Sequence, residues 1–170
     1  MSDQKYYGKY RGTVINNIDP MQMGRLMVLV PDVSGLLPTS WAMPCFPVTG
    51  IQMGVWVLPL IGAGGWVEFE QGDPDFPIWS GCFPGSTADL PALALAGNPA
   101  SPSIVLQTGL QNTIMISDMP GPAGGILLKT TAGAMISISE VGITISNGQG
   151  ATIMLTGPTV NINAGALTVI

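Results

Sequence analysis

From Ile104 onward the chain is written in short alternating runs separated by glycine, and that pattern limits its fold more than any other feature. The runs are "IVLQT", "TIMIS", "GILLKTT", "AMISIS", "GITIS", "ATIMLT", "TVNIN" and "ALTVI", the last of them reaching Ile170. Each alternates apolar with small polar residues, so as a β-strand it has one face to bury. The later runs carry the apolar pairs Ile136/Ile138, Ile143/Ile145, Ile153/Leu155, Val160/Ile162 and Leu167/Val169, whose first members lie 7, 10, 7 and 7 residues apart. A β repeat of so short a period implies a β-helix or solenoid.

Two inward side chains per strand do not hold such a ribbon together alone. Ordering a residue costs about 1–2 kcal/mol of backbone entropy, against roughly 1.5–3 kcal/mol returned per buried aliphatic side chain. A single-chain coil needs about 20 residues per turn, so residues 126–170 would make barely two turns. Three chains wound about a common axis meet the requirement. The apolar pairs Ile136, Ile138, Ile143, Ile145, Ile153, Leu155, Val160, Ile162, Leu167 and Val169 then form the predicted trimer core, and neighbouring chains are expected to satisfy the backbone groups. Eight strands at ~4.8 Å spacing make an intertwined triangular prism roughly 35–40 Å long. Its blunt end would expose Leu167, Thr168, Val169 and Ile170 of each chain, an open apolar edge that predicts a separate capping protein.

The composition fits a surface hidden by assembly. Apolar residues make up 46% and charged residues 9%, where about a quarter charged is usual. Gly (23) and Pro (15) interrupt every apolar stretch, and none approaches the ~18 residues of a membrane-spanning helix. A net charge of −5 with no His supplies no basic face, which excludes nucleic acid as a partner. Met1–Tyr10 lacks the apolar core of a signal peptide, so assembly in the cytoplasm without export is expected. Cys45 and Cys82 have no CxxC spacing and read as two buried reduced thiols, with a disulfide as the alternative.

Beyond Phe76 the only charges are Asp89, Asp118, Lys129 and Glu140. "PGSTADLPALALAGNPASPS", residues 84–103, reads as a linker or extended strap. The predicted organisation is an N-terminal domain over 1–85, a strap over 86–103 and a needle over 104–170. In the first half five runs read as strands: Tyr10–Ile18, Arg25–Val30, Val55–Leu60, Trp66–Glu70 and Pro77–Phe83. "GWVEFEQ" places Trp66 and Glu68 on one face, Val67 and Phe69 on the other. Five short strands in this order predict a Greek-key barrel of the OB type, so the chain as a whole is all-β.

The segments "GTVINNIDPMQMGRLMVLVPDV", "SWAMPCFPVTG" and "GVWVLPLIGAGGWVEFEQGDPDFPIWSGCF" closely resemble the OB domain of contractile-tail spike proteins. These are the phage baseplate assembly protein V family, the Vgr proteins of type VI secretion and the spikes of related injection particles. The resemblance rests on Asp19-Pro20 with Gly24-Arg25; Trp41; Trp56, Pro59 and Gly62; Glu68; Gly72-Asp73-Pro74; and Pro77, Trp79 and Gly81, all in family order. It implies a homotrimeric central spike whose OB domains dock on a tail hub and whose needle is driven through a target envelope, which it contacts transiently. It leaves open whether the parent machine is a phage, a secretion system or a free particle. Some family spikes end in a metal apex built from His residues; this chain has no His, so the resemblance implies a PAAR-type tip protein instead.

No catalytic or metal site is read from the residues, and no cofactor. Without His the usual Ser-His-Asp and Cys-His arrangements are impossible. Glu68, Glu70, Asp73 and Asp75 read as ordinary turn chemistry rather than as a carboxylate pair or a Ca²⁺ site, with Arg25 expected to pair with one of them. Trp41, Trp56, Trp66 and Trp79 read as barrel core or trimer contact rather than stacking platforms. Met21, Met23 and Met27 read as adaptable packing. The alternative function is an oligosaccharide-binding OB module on a β-helical stalk, an adhesin. An ice-binding solenoid fits less well, because no long regular T-x-T ladder is present.

Overall fold

A computed structural model of the chain describes residues 4–169. The chain divides at Thr87/Ala88 into two units, each β-structured. Among the described residues no helix is long and apolar enough to cross a membrane.

The first unit contains β1 (Tyr10–Asn16), β2 (Met27–Leu29), a single helical turn α1 (Pro31–Ser34), β3 (Met43–Pro44), β4 (Thr49–Gly50), β5 (Met53–Gly54), β6 (Gly64–Phe69) and β7 (Pro77–Phe83). Its main sheet runs β2-β1-β6-β7-β3, antiparallel except for the parallel pair β3–β7, while β4 and β5 form a separate small hairpin. One short segment is bonded to both edges of that sheet. Met43 and Pro44 pair with Ile78 and Trp79, while Ala42 exchanges two backbone hydrogen bonds with Leu26, at 2.7 and 3.1 Å. The core is Val14, Leu26, Val28, Val30, Ala42, Val67, Phe69 and Trp79. The alternation of "GWVEFEQ" holds: Val67 and Phe69 are buried, whereas Trp66 and Glu68 are half-exposed.

The run Val55–Leu60 is not a strand. Val55, Trp56 and Val57 are all exposed, and no neighbouring strand is paired with them. An apolar run without alternation has no sidedness to set a register, and Pro59 has no N–H to contribute to a ladder. Glu70 likewise leaves the strand; it opens a short turn over Glu70–Gly72 in which Gln71 has φ 51°, so Glu68 and Glu70 do not share a strand face.

The second unit begins with a short turn α2 (Ala92–Leu95), so the strap is partly helical. Eight strands follow: β8 (Ser103–Gln107), β9 (Thr113–Ser117), β10 (Gly125–Lys129), β11 (Met135–Ser139), β12 (Gly142–Ser146), β13 (Thr152–Thr156), β14 (Thr159–Ile162) and β15 (Leu167–Val169). They form one antiparallel meander in chain order. Within the single chain consecutive strands pair with one another. Tight turns bring them together at little loop-closure cost. Each chain brings a complete eight-stranded sheet to its assembly.

Gly142 shows how closely these strands approach. Its φ is +155°, and a Cβ there would lie 2.2 Å from the carbonyl oxygen of Leu155 on the next strand. Gly142→Ala is expected to destabilise the second unit by about 1–3 kcal/mol, seen as an earlier thermal transition by circular dichroism. An unchanged transition would show that the two strands have room to separate.

Candidate assembly surfaces

The register of the meander stacks its aliphatic residues into two cross-strand columns. One runs Ile104–Ile116–Ile126–Ile138–Ile143–Leu155–Val160, the other Leu106–Ile114–Leu128–Ile136–Ile145–Ile153–Ile162–Leu167, and the backbone position of Val169 completes the first. All ten residues read from the sequence as trimer core occupy positions in these columns, and β8–β10 add six more. Most of the column residues are uncovered in a single chain, with exposures from 62% at Ile104 to 38% at Leu155, while Ile143, Val160 and Ile162 are half-buried. The opposite face carries Thr113, Met115 and Ser117, all buried, then Leu127, Ser137, Thr144 and Asn161, half-buried, and Met154, exposed. A face of branched aliphatics left largely in water while a more polar face is better sheltered is the reverse of a self-contained domain. Such a surface marks an interface. Of the four residues expected at the tip, Leu167 is exposed and lies in β15 with Thr168 and Val169, at one edge of the sheet; Ile170 lies outside the described residues.

The first unit is organised around Asp19. Its carboxylate accepts hydrogen bonds from the backbone N–H groups of Met21 (3.0 Å), Met23 (2.9 Å) and Arg25 (3.2 Å), and from the Arg25 side chain at Nε and at Nη2 (2.6 Å). Arg25 therefore pairs with Asp19, not with Glu68, Glu70, Asp73 or Asp75 as expected. The guanidinium beside it holds the Asp19 carboxyl well below the usual carboxylate range, despite burial that opposes ionisation, and the same bond raises Arg25. Arg25 also lies 5.5 Å from the Trp41 ring. Pro20 and Gly24 complete the turn; Gly24 has φ +78°, and a Cβ there would meet Phe46 at 2.9 Å and Trp56 at 3.2 Å. The Trp79 indole N–H donates to the Gly24 carbonyl at 3.0 Å, tying this loop to the core. The Asp19, Gly24, Arg25, Trp41, Trp56 and Trp79 positions thus meet in one place. The signal for Arg25's partner was present in the sequence as the D-P…G-R turn.

The other positions of the resemblance serve separate turns. The Pro59 carbonyl accepts from Asn17 Nδ2 at 2.9 Å, and Gly62 donates its N–H to Val14. Glu68 pairs with Lys9 at 2.8 Å. Gly72, Asp73 and Pro74 build a turn in which Asp73 Oδ1 accepts from the N–H of Asp75. Pro77 opens β7, and Gly81 lies opposite the register shift between Trp66 and Val67. Lys5 reaches Asp73 at 3.5 Å. These surface pairs hold a solvated turn, and among the described residues no three His, Cys, Asp or Glu gather as a metal site would require. Trp79 alone of the tryptophans is buried; Trp41 and Trp66 are half-buried, and Trp56 is 58% exposed. Met21 and Met23 are exposed. Cys45 and Cys82 are free and exposed in the single chain, contrary to the expectation of buried thiols, because both fall on outward positions at sheet edges and ends.

An all-β protein with an OB-type first unit and an uncovered aliphatic sheet in its second belongs to the class that is completed by assembly. Two family models match it: the type VI secretion system/phage-baseplate injector OB domain over residues 10–83 and the phage baseplate V C-terminal trimerisation domain over residues 103–168. No curated protein matches the chain. The chain belongs to the baseplate V spike family, with a structural role in a phage or type VI secretion-like baseplate, and its second unit is a trimerisation domain.

Ionised Asp19 stabilises the first unit at every pH above the ordinary carboxylate value of about 4, because its folded-state pKa lies lower; that stabilisation is lost as pH falls below this value. Asp19→Asn should lower Tm at pH 7 by several degrees and flatten the acid limb, so that the two melting curves draw together only as pH falls well below about 4. Parallel acid limbs would show that Asp19 does not brace the fold.

Proposed function

We propose that this chain is the homotrimeric central spike of a contractile injection machine. The observation that supports it most is the pair of unbroken aliphatic columns on a sheet face that the single chain leaves largely open. Three copies of the sheet, each forming one side of a prism, turn the columns toward a common axis. Ile136, Ile138, Ile143, Ile145, Ile153, Leu155, Val160, Ile162, Leu167 and Val169 then form the trimer core. Serine, threonine and asparagine face outward, and the object is a rigid needle carrying very few charges.

Among the described residues β15 pairs only with β14 and forms one edge of the sheet, and three copies of such an edge need a cover. A PAAR-type tip protein seated on Leu167, Thr168, Val169 and Ile170 supplies it. The OB units dock on the tail hub, and sheath contraction drives the capped needle through the target envelope.

Native mass spectrometry tests the trimer: three chains of 17.6 kDa give about 53 kDa. Ile145→Asp with Ile162→Asp would put unpaired charges at the axis and should abolish that species. A trimer that persists with unchanged melting would contradict the inward assignment. Removing residues 167–170 should leave the first unit folded while tip-protein retention in a pull-down is lost; retention by the truncated chain would place the tip elsewhere.

A further inference from the structure

Between Asp32 and Glu68 the sequence holds no charged residue, and the first unit spends this stretch largely on its surface. Leu36, Leu37, Ile51, Met53, Trp56, Val57 and Leu60 are all exposed. The surface has a knob and a hole. The knob is Ile51, at the tip of the β4–β5 hairpin and 97% exposed. The hole is an open groove of about 540 Å³ whose apolar walls are Met23, Met43, Phe46, Met53, Val55 and Trp56. Its aromatic wall is fixed: Trp56 stands 5.5 Å from Phe46, which stands 5.7 Å from the buried Trp79. Ile51 is not among the groove's lining residues, although Thr49, Gly50, Gln52, Met53 and Gly54 around it are. The hairpin therefore turns its most apolar tip away from its own groove.

We propose that the groove receives the Ile51 tip of a second copy of this chain, making the first unit a second trimer interface. A knob on one copy meeting a hole on the next is a heterologous contact, and such contacts close into a ring when the rotation is set. The trimerisation domain sets it. The segment 84–102 tethers each OB unit to that domain, which holds the three units at an effective concentration of about millimolar. Even a weak apolar contact is populated under that condition. The charge-free stretch raises no like-charge penalty between three identical surfaces, as a charged one would.

This inference rests on the trimer proposed above, and the test separates the two. In the full-length chain with Cys45→Ser and Cys82→Ser, Ile51→Cys is labelled with a maleimide under native conditions. Gln4→Cys, at an exposed site outside the stretch, serves as the control. Labelling at position 51 should be at least tenfold slower than at position 4, and oxidation of Ile51→Cys/Trp56→Cys should give covalent trimers that neither single variant gives. Fast labelling in a particle of trimer mass would overturn the proposal and leave the surface to a hub protein. Protection without cross-linking would overturn the pairing of Ile51 with the groove. A monomeric mass would overturn the trimer itself and this interface with it.

Discussion

Among the described residues nothing is layered over the aliphatic face of the second unit's sheet, and the rest of the structure follows from that lack. Eight antiparallel strands satisfy one another's backbone groups, which removes the usual reason for a β-ribbon to aggregate along its length. What remains unsatisfied is a face of isoleucine, leucine and valine in two cross-strand columns. Such columns suit three-fold packing, since each layer of the prism meets its own copies. The chain solves its hydrogen bonding alone and its hydrophobic burial in company.

The first unit solves a different problem. It must present long, charge-free loops without letting them collapse, and it does so from a single ionic centre. Asp19 gathers three backbone N–H groups and one guanidinium in a loop that Trp79 then fastens to the core. The Phe46–Trp56 wall rests on the same loop through Gly24. Electrostatics here organise the backbone, while apolar side chains are left on the outside. In both units apolar side chains stand on the surface of the single chain, in keeping with a composition that holds little charge.

Much of this was legible in the chain. The period-2 alternation fixed the number of strands in the second unit and the side on which Ile145 and Ile162 lie, because one residue of slip would invert the whole face. β7 was readable to its ends from Pro77 and Phe83. The glycine turns were visible as punctuation, but the choice of pairing partner was not: alternation states which face is apolar and leaves open whether the neighbouring strand belongs to the same chain. Val55–Leu60 resembles a buried strand because it is apolar without alternation, whereas here Val55 and Trp56 line an open groove and the run pairs with no strand. Arg25 was assigned to the acidic cluster at 68–75 because the partner six residues before it was treated as turn chemistry only.

The most direct test is a density map of the assembled spike at side-chain resolution. The account predicts three-fold density in which each chain forms one side of the prism and Ile116, Ile126, Ile145 and Ile153 face the axis. A map with Val105, Met115, Thr144 and Asn161 at the axis, or with the strands of different chains alternating in one sheet, would contradict it.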